Sequence, residues 1–270
     1  MLPDRPPHGP SAPVNASLRR PGGADLPPGI EPWCTTLRGE QAWRLEAAGG
    51  ETAVATWDAL RTRHPRTGLW PVVLDGDLQA IDQLTWRVNI LAEDRPGIPV
   101  LDDAAAAPEL FVEWMGDPAA DDYLNDVPRH LAKLEADQDQ IRARLSDRPD
   151  AEAVRAVAGD RVQIALVPAA AGWEVPALLA WSGAERDDIG GAEHLSVLHF
   201  WHESYGADLV ALGLDTLECL VARPPDDARG AFELAVQQYA YCPALMDNLV
   251  PAMGALAATL FGRHWFFDWH

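Results

Sequence analysis

His199 and His202 stand three residues apart in a stretch with helical spacing, so both side chains can face the same way. Two such imidazoles and one carboxylate from elsewhere would suit a metal ion. Asp268 could supply that carboxylate if the last strand runs beside the helix. His194, Glu203, His264 and His270 widen the same constellation. The chemistry would be that of a metal-dependent, hydrolase-like enzyme. No His-Glu-x-x-His frame occurs, however. The plainer reading is a row of polar histidines at the edge of an aromatic core.

Other reactive types are less well placed. Cys242 precedes Pro243 at a predicted helix C-terminus, where the dipole disfavours a thiolate, so it reads as a small buried apolar group, as does Cys219. Gly49-Gly50 and Gly190-Gly191 lack the pattern of a phosphate loop, and Ser182-Gly183 lacks the frame of a nucleophile elbow. Trp181, Trp201, Tyr205, Tyr239, Tyr241, Trp265, Phe267 and Trp269 are mainly core. The alternative is an aromatic groove for a small ligand, with Trp269 the member least suited to full burial.

The elements that must position these residues follow from periodicity and punctuation. Residues 42–45 read as a strand, 51–64 as a helix and 69–74 as a second strand, which makes a βαβ-like unit. His64 to Gly68 reads as a turn, and Pro71 places its strand at an edge or start. A helix is predicted over 78–91, a loop over 96–108 and a strand over 110–114. Asp126-Val127-Pro128 opens a helix with Leu131, Leu134, Ile141 and Leu145 on one stripe. Strands at 162–167 and 176–181, a helix at 191–205, a hairpin of 209–212 with 217–221 and a helix capped by Asp226 or Asp227 come next. The last helix starts at Asn248 and carries Leu249, Met253, Leu256 and Leu260, and 264–269 is a terminal strand.

Charge excludes several functions. The chain has 270 residues and a formal net charge of −20, and Lys133 is its one lysine. Such a balance disfavours nucleic acid and anionic membrane as partners. No apolar run is long enough to span a bilayer. Three cysteines make no disulfide framework, and with no secretory signal the expected compartment is the cytoplasm. Residues 1–32 contain nine prolines and almost no large apolar side chain, and read as a disordered tail. Residues 102–150 hold thirteen acidic against five basic residues, which reads as an acidic helical connector.

Five short motifs occur in order near the C-terminus. They are Tyr205-Gly206-Ala207, Asp215-Thr216-Leu217-Glu218, Arg223-Pro224-Pro225, Gln238-Tyr239-Ala240-Tyr241-Cys242-Pro243 and Trp265-Phe266-Phe267. Over about 160–270 the chain resembles the bacterial domain of unknown function 4253 family, with a looser likeness around Thr67-Gly68-Leu69-Trp70-Pro71. The resemblance implies an α+β domain and names no activity. Relatives tend to place Glu, Asp and Asp where this chain has Gln237, Ala244 and His270, so any carboxylate chemistry there would be impaired.

The expected architecture is α+β, a mixed sheet with helices packed on it. It divides into a tail at 1–32, an α/β subdomain at 33–115, the connector at 116–160 and an α+β domain at 161–270. The expected function is non-enzymatic: a basic protein partner bound through an acidic face that includes Asp137, Asp139, Asp187 and Asp188, with no cofactor.

Overall fold

The computed structural model describes residues 27–76, 78–94, 106–116, 121–125, 127–146, 148–184, 189–246, 250 and 252–269. Residues 1–26 of the expected tail lie outside these, as do Asp187, Asp188, Leu249 and His270. The sheet takes up the chain at β1 (Glu31–Thr35), ahead of the expected start of order at Trp33, and continues in β2 (Gln41–Ala48). Helix α1 (Glu51–Thr67) runs through the stretch expected as a turn, because Pro65 sits in its last turn. Gly68, at φ 65°, then closes it in the left-handed conformation that glycine adopts without strain.

Seven strands form one sheet in the order β1-β2-β4-β3-β5-β6-β7. The others are β3 (Leu69–Leu74), β4 (Arg161–Pro168), β5 (Ala207–Leu212), β6 (Thr216–Val221) and β7 (His264–Asp268). β4 lies antiparallel between β2 and β3, so the βαβ unit of β2, α1 and β3 is split by a strand from the C-terminal part. One sheet therefore draws on both the 33–115 and 161–270 segments.

β3 is central, not an edge, and all six of its residues are buried. Pro71 is tolerated because β3 pairs with β5 only at Val73 and Leu74. Beside it the Leu209 carbonyl accepts the Trp70 indole N–H at 3.1 Å, and the Pro71 carbonyl accepts that of Trp57 at 2.9 Å. Side chains thus complete the hydrogen bonding that the ladder omits.

Two expected strands are helical. Residues 110–114 belong to α3 (Ala107–Met115), which buries Phe111 and leaves Val112 74% exposed. Residues 176–181 belong to α6 (Val175–Leu178) and the turn after it. Each is a short apolar run without period, which pattern alone cannot assign.

Helix α2 (Leu78–Asp94) packs on β1, and α4 (Val127–Ser146) follows after a short 3₁₀ turn. α4 turns Leu131, Leu134, Ile141 and Leu145 inward as its stripe requires. It is not itself acidic: it carries four Arg or Lys against three Asp or Glu, and the acidic excess lies in the segments flanking it. After α5 (Asp150–Ala153) and β4 come α7 (Gly191–Tyr205) and α8 (Ala228–Tyr241), whose Asp227 cap accepts the Gly230 N–H at 2.7 Å. α9 (Met253–Thr259) starts later than expected and packs with α4 and α8. No described helix is long and apolar enough to cross a membrane.

Candidate functional site

Glu218 sits on β6, 1% exposed. Its carboxylate accepts the backbone N–H groups of Arg155 and Ala156, both at 2.8 Å, and His264 Nε2–H at 2.5 Å. The β6–β7 register sets Glu218 opposite Phe266 and Leu220 opposite His264, which makes Glu218 and His264 diagonal neighbours on one face. Three donors offset the cost of burying the carboxylate. They also pin the segment after α5 to the sheet and fix one imidazole nitrogen of His264.

Beside this pair opens a cavity of about 370 Å³. The end of α4, α5, α8, α9 and the start of β7 enclose it. Arg148, Arg155 and Arg263 lie along it, with His264, Gln238 and Trp265. The Arg155 guanidinium rests 3.8 Å from the Phe266 ring centre. Arg263 Nε donates to the Val221 carbonyl at 3.2 Å, and Arg148 donates to the Glu152 carbonyl. Among the described residues Gln238 Nε2 and Trp265 Nε1 meet no acceptor, as is also true of Arg61 Nε, His194 Nε2 and Trp269 Nε1 in other parts of the fold.

The expected site residues are placed elsewhere. His202 Nδ1 lies 3.0 Å from Asp208 Oδ1, and that hydrogen bond raises the imidazole pKa above its ordinary value. Asp208 also accepts from Arg61 at 3.0 Å. His199 stacks on Trp173, ring centres 4.5 Å apart, with Glu203 4.0 Å from its Nε2. Asp268 ends β7 opposite Thr216, and its carbonyl accepts from the Cys242 thiol. Among the described residues no three His, Cys, Asp or Glu side chains are placed to hold a metal ion. The carboxylate that meets His202 is Asp208, from the strand directly after its own helix.

Trp269 is buried, 4% exposed, against Trp181, Tyr241 and His194, so it rims no surface groove. The aromatic set has closed over it: Trp201, Tyr241, Trp265 and Phe267 are all fully buried. His194, also in this core, bonds the Tyr241 hydroxyl at 2.6 Å, and burial drives its pKa down to about 3. Gln237 accepts the Trp201 indole N–H at 3.1 Å, so it serves packing here. Cys34, Cys219 and Cys242 are buried and not joined in disulfides, and burial pushes the Cys34 pKa up to about 12. Asp137 and Asp139 stand exposed on α4.

Sequence reasoning missed Glu218 and Gln238 as site residues, although both stand in the quoted motifs. Their signal was a charged residue inside the apolar run Leu217 to Val221 and a polar one facing inward on α8. No curated protein and no solved structure matches the chain. Residues 163–270, which hold Glu218, Gln238 and His264, match the family model described as Domain of unknown function (DUF4253).

Proposed function

We propose that this chain binds a small molecule in the cavity between α4, α8, α9 and the start of β7. One observation carries the reading: Arg148, Arg155 and Arg263, which meet no carboxylate among the described residues, line this cavity together with several leucines. The volume is within the range of small-molecule sites, and several apolar side chains share the wall with a few polar groups. The test is ligand-observed NMR on the full chain with small acids, alcohols and amines. Binding by at least one class should disappear in Leu256→Trp, which fills the cavity. Binding by none, or binding indifferent to that substitution, overturns the proposal.

A second reading keeps the acidic face. The net charge of −20 and the exposed Asp137 and Asp139 favour a basic protein partner, with Asp187 and Asp188 as further candidates. Association with such a partner should slow steeply as salt rises, because exposed charges are screened within about 8 Å at physiological ionic strength.

A further inference from the structure

Resting on the cavity reading, we infer that the ligand is an amphiphilic carboxylate, its anionic head among Arg155, Arg263 and His264 and its apolar body against the leucines of the wall. The first argument is charge. In a chain with twice as many acidic as basic residues, three guanidinium groups share one cavity. Among the described residues none of the three meets a carboxylate. Arg148 and Arg263 donate to backbone carbonyls, and Arg155 lies over Phe266. Arg38, Arg44, Arg61, Arg142 and Arg161 are each ion-paired. Arg223, away from the cavity, likewise donates to backbone carbonyls, so what sets the cavity apart is that three such arginines gather along it.

Among the described residues that line the cavity, Asp150 is the one carboxylate, against three arginines. Glu218 is already committed to two backbone N–H groups and His264. Like charges held together attract an anion, and a planar guanidinium matches a carboxylate in two parallel hydrogen bonds.

The second argument is the remainder of the wall. Leu145, Leu245, Val250, Leu256 and Leu260 line it with hydrocarbon. Inorganic phosphate would neutralise the arginines and leave that wall wet. A neutral alcohol would cover the wall and leave the arginines unpaired. A carboxylate carrying a hydrocarbon body meets both.

The experiment titrates the full chain with octanoate, octan-1-ol and inorganic phosphate, following heat of binding. Octanoate should bind at least tenfold more tightly than either of the others. In R155Q/R263Q its affinity should fall to that of octan-1-ol, and R263Q alone should lose part of the difference, with circular dichroism unchanged in both. Equal binding of octanoate and octan-1-ol, or a preference that survives the double substitution, overturns the anionic head while leaving the cavity as a ligand site. Phosphate binding as tightly as octanoate overturns the apolar body. If none of the three binds, the cavity reading itself falls.

Discussion

Arg38 and Arg61 each meet a carboxylate drawn from far along the chain, whereas Arg148, Arg155 and Arg263 meet none among the described residues. The first region lies where α1, the turn before α6, α7 and β5 come together. There Arg38 forks onto Glu174 at 2.7 and 3.0 Å, and Arg61 bridges Asp58 and Asp208. Burial pushes the Glu174 pKa up, but the Arg38 hydrogen bond and the Ala170 N–H outweigh it and hold the carboxyl below its ordinary value. Each of these two guanidinium groups has a carboxylate from within the fold, although Arg61 Nε itself meets no acceptor among the described residues. The second region is answered only at its base, by Glu218. The same residue types thus do two jobs. In the first, charge ties distant segments together. In the second, it is left facing a cavity, which is how a fold stores affinity for something outside itself.

Removing Glu218 should have the largest effect, since it is where the two kinds of region meet. Glu218→Ala strands the N–H groups of Arg155 and Ala156 and the imidazole of His264 in a nearly dry place. The expected loss is about 3–5 kcal/mol, a large share of a typical domain's stability. Denaturant unfolding of the variant measures it. A variant as stable as the native chain would mean that the connector is held to the sheet by packing alone. The cavity would then lose its fixed base.

Two histidines on α7 divide the same way, and their pH dependences should have opposite signs. His194 is neutral in the core, with its pKa lowered to about 3 by burial. Below its ordinary value of 6.5 the unfolded chain takes up a proton that the folded one refuses. Stability is therefore full above that pH and falls toward pH 3, by at most about 1.4 kcal/mol per pH unit. His202 is raised by its hydrogen bond to Asp208, so its contribution is full below 6.5 and is lost as pH rises through the higher folded value. Unfolding curves across pH 4–8 read both limbs. His194→Phe should flatten the acid limb and leave the other, and His202→Gln should do the reverse. A shared response would put the two imidazoles in one environment.

The difference between these regions was only partly legible in the sequence. The strands β2, β3, β4, β5, β6 and β7 and the helices α1, α4, α7 and α8 were readable because each has a clear period or a clear cap. Residues 110–114 and 176–181 were not: 110–114 is too short a run to show a helical period, with apolar Val112 facing outward, and burial of all of Val175–Leu178 erases the period there. The order of strands was also hidden. Nothing local in Arg161–Pro168 says that it inserts between β2 and β3. His202 and His264 stood out by type, but their partners did not. Glu218 meets His264 through sheet register, which no spacing along the chain displays, and Asp208 meets His202 through the tight Gly206 turn from α7 into β5. The cavity was least legible of all, because its arginines come from positions 148, 155 and 263 and only the fold makes them neighbours.

The smallest effects are the most discriminating. Arg38→Gln should cost about 1 kcal/mol, discounted because Arg38 is partly exposed, since it leaves the half-dry Glu174 carboxylate with the Ala170 N–H as its hydrogen bond. Arg155→Gln should cost within about 0.5 kcal/mol, because its guanidinium pairs with no carboxylate and its departure relieves repulsion from Arg148 and Arg263. The two substitutions remove the same group from the same net charge, so a general electrostatic effect would move both alike. Thermal unfolding of the pair, with and without octanoate, separates the cases. Arg38→Gln should lower the melting temperature and keep the shift produced by octanoate. Arg155→Gln should keep the melting temperature and lose much of that shift. If Arg155→Gln proved the more destabilising, the arginines of the cavity would belong to the fold as Arg38 does. The contrast between the two regions would then be one of exposure alone.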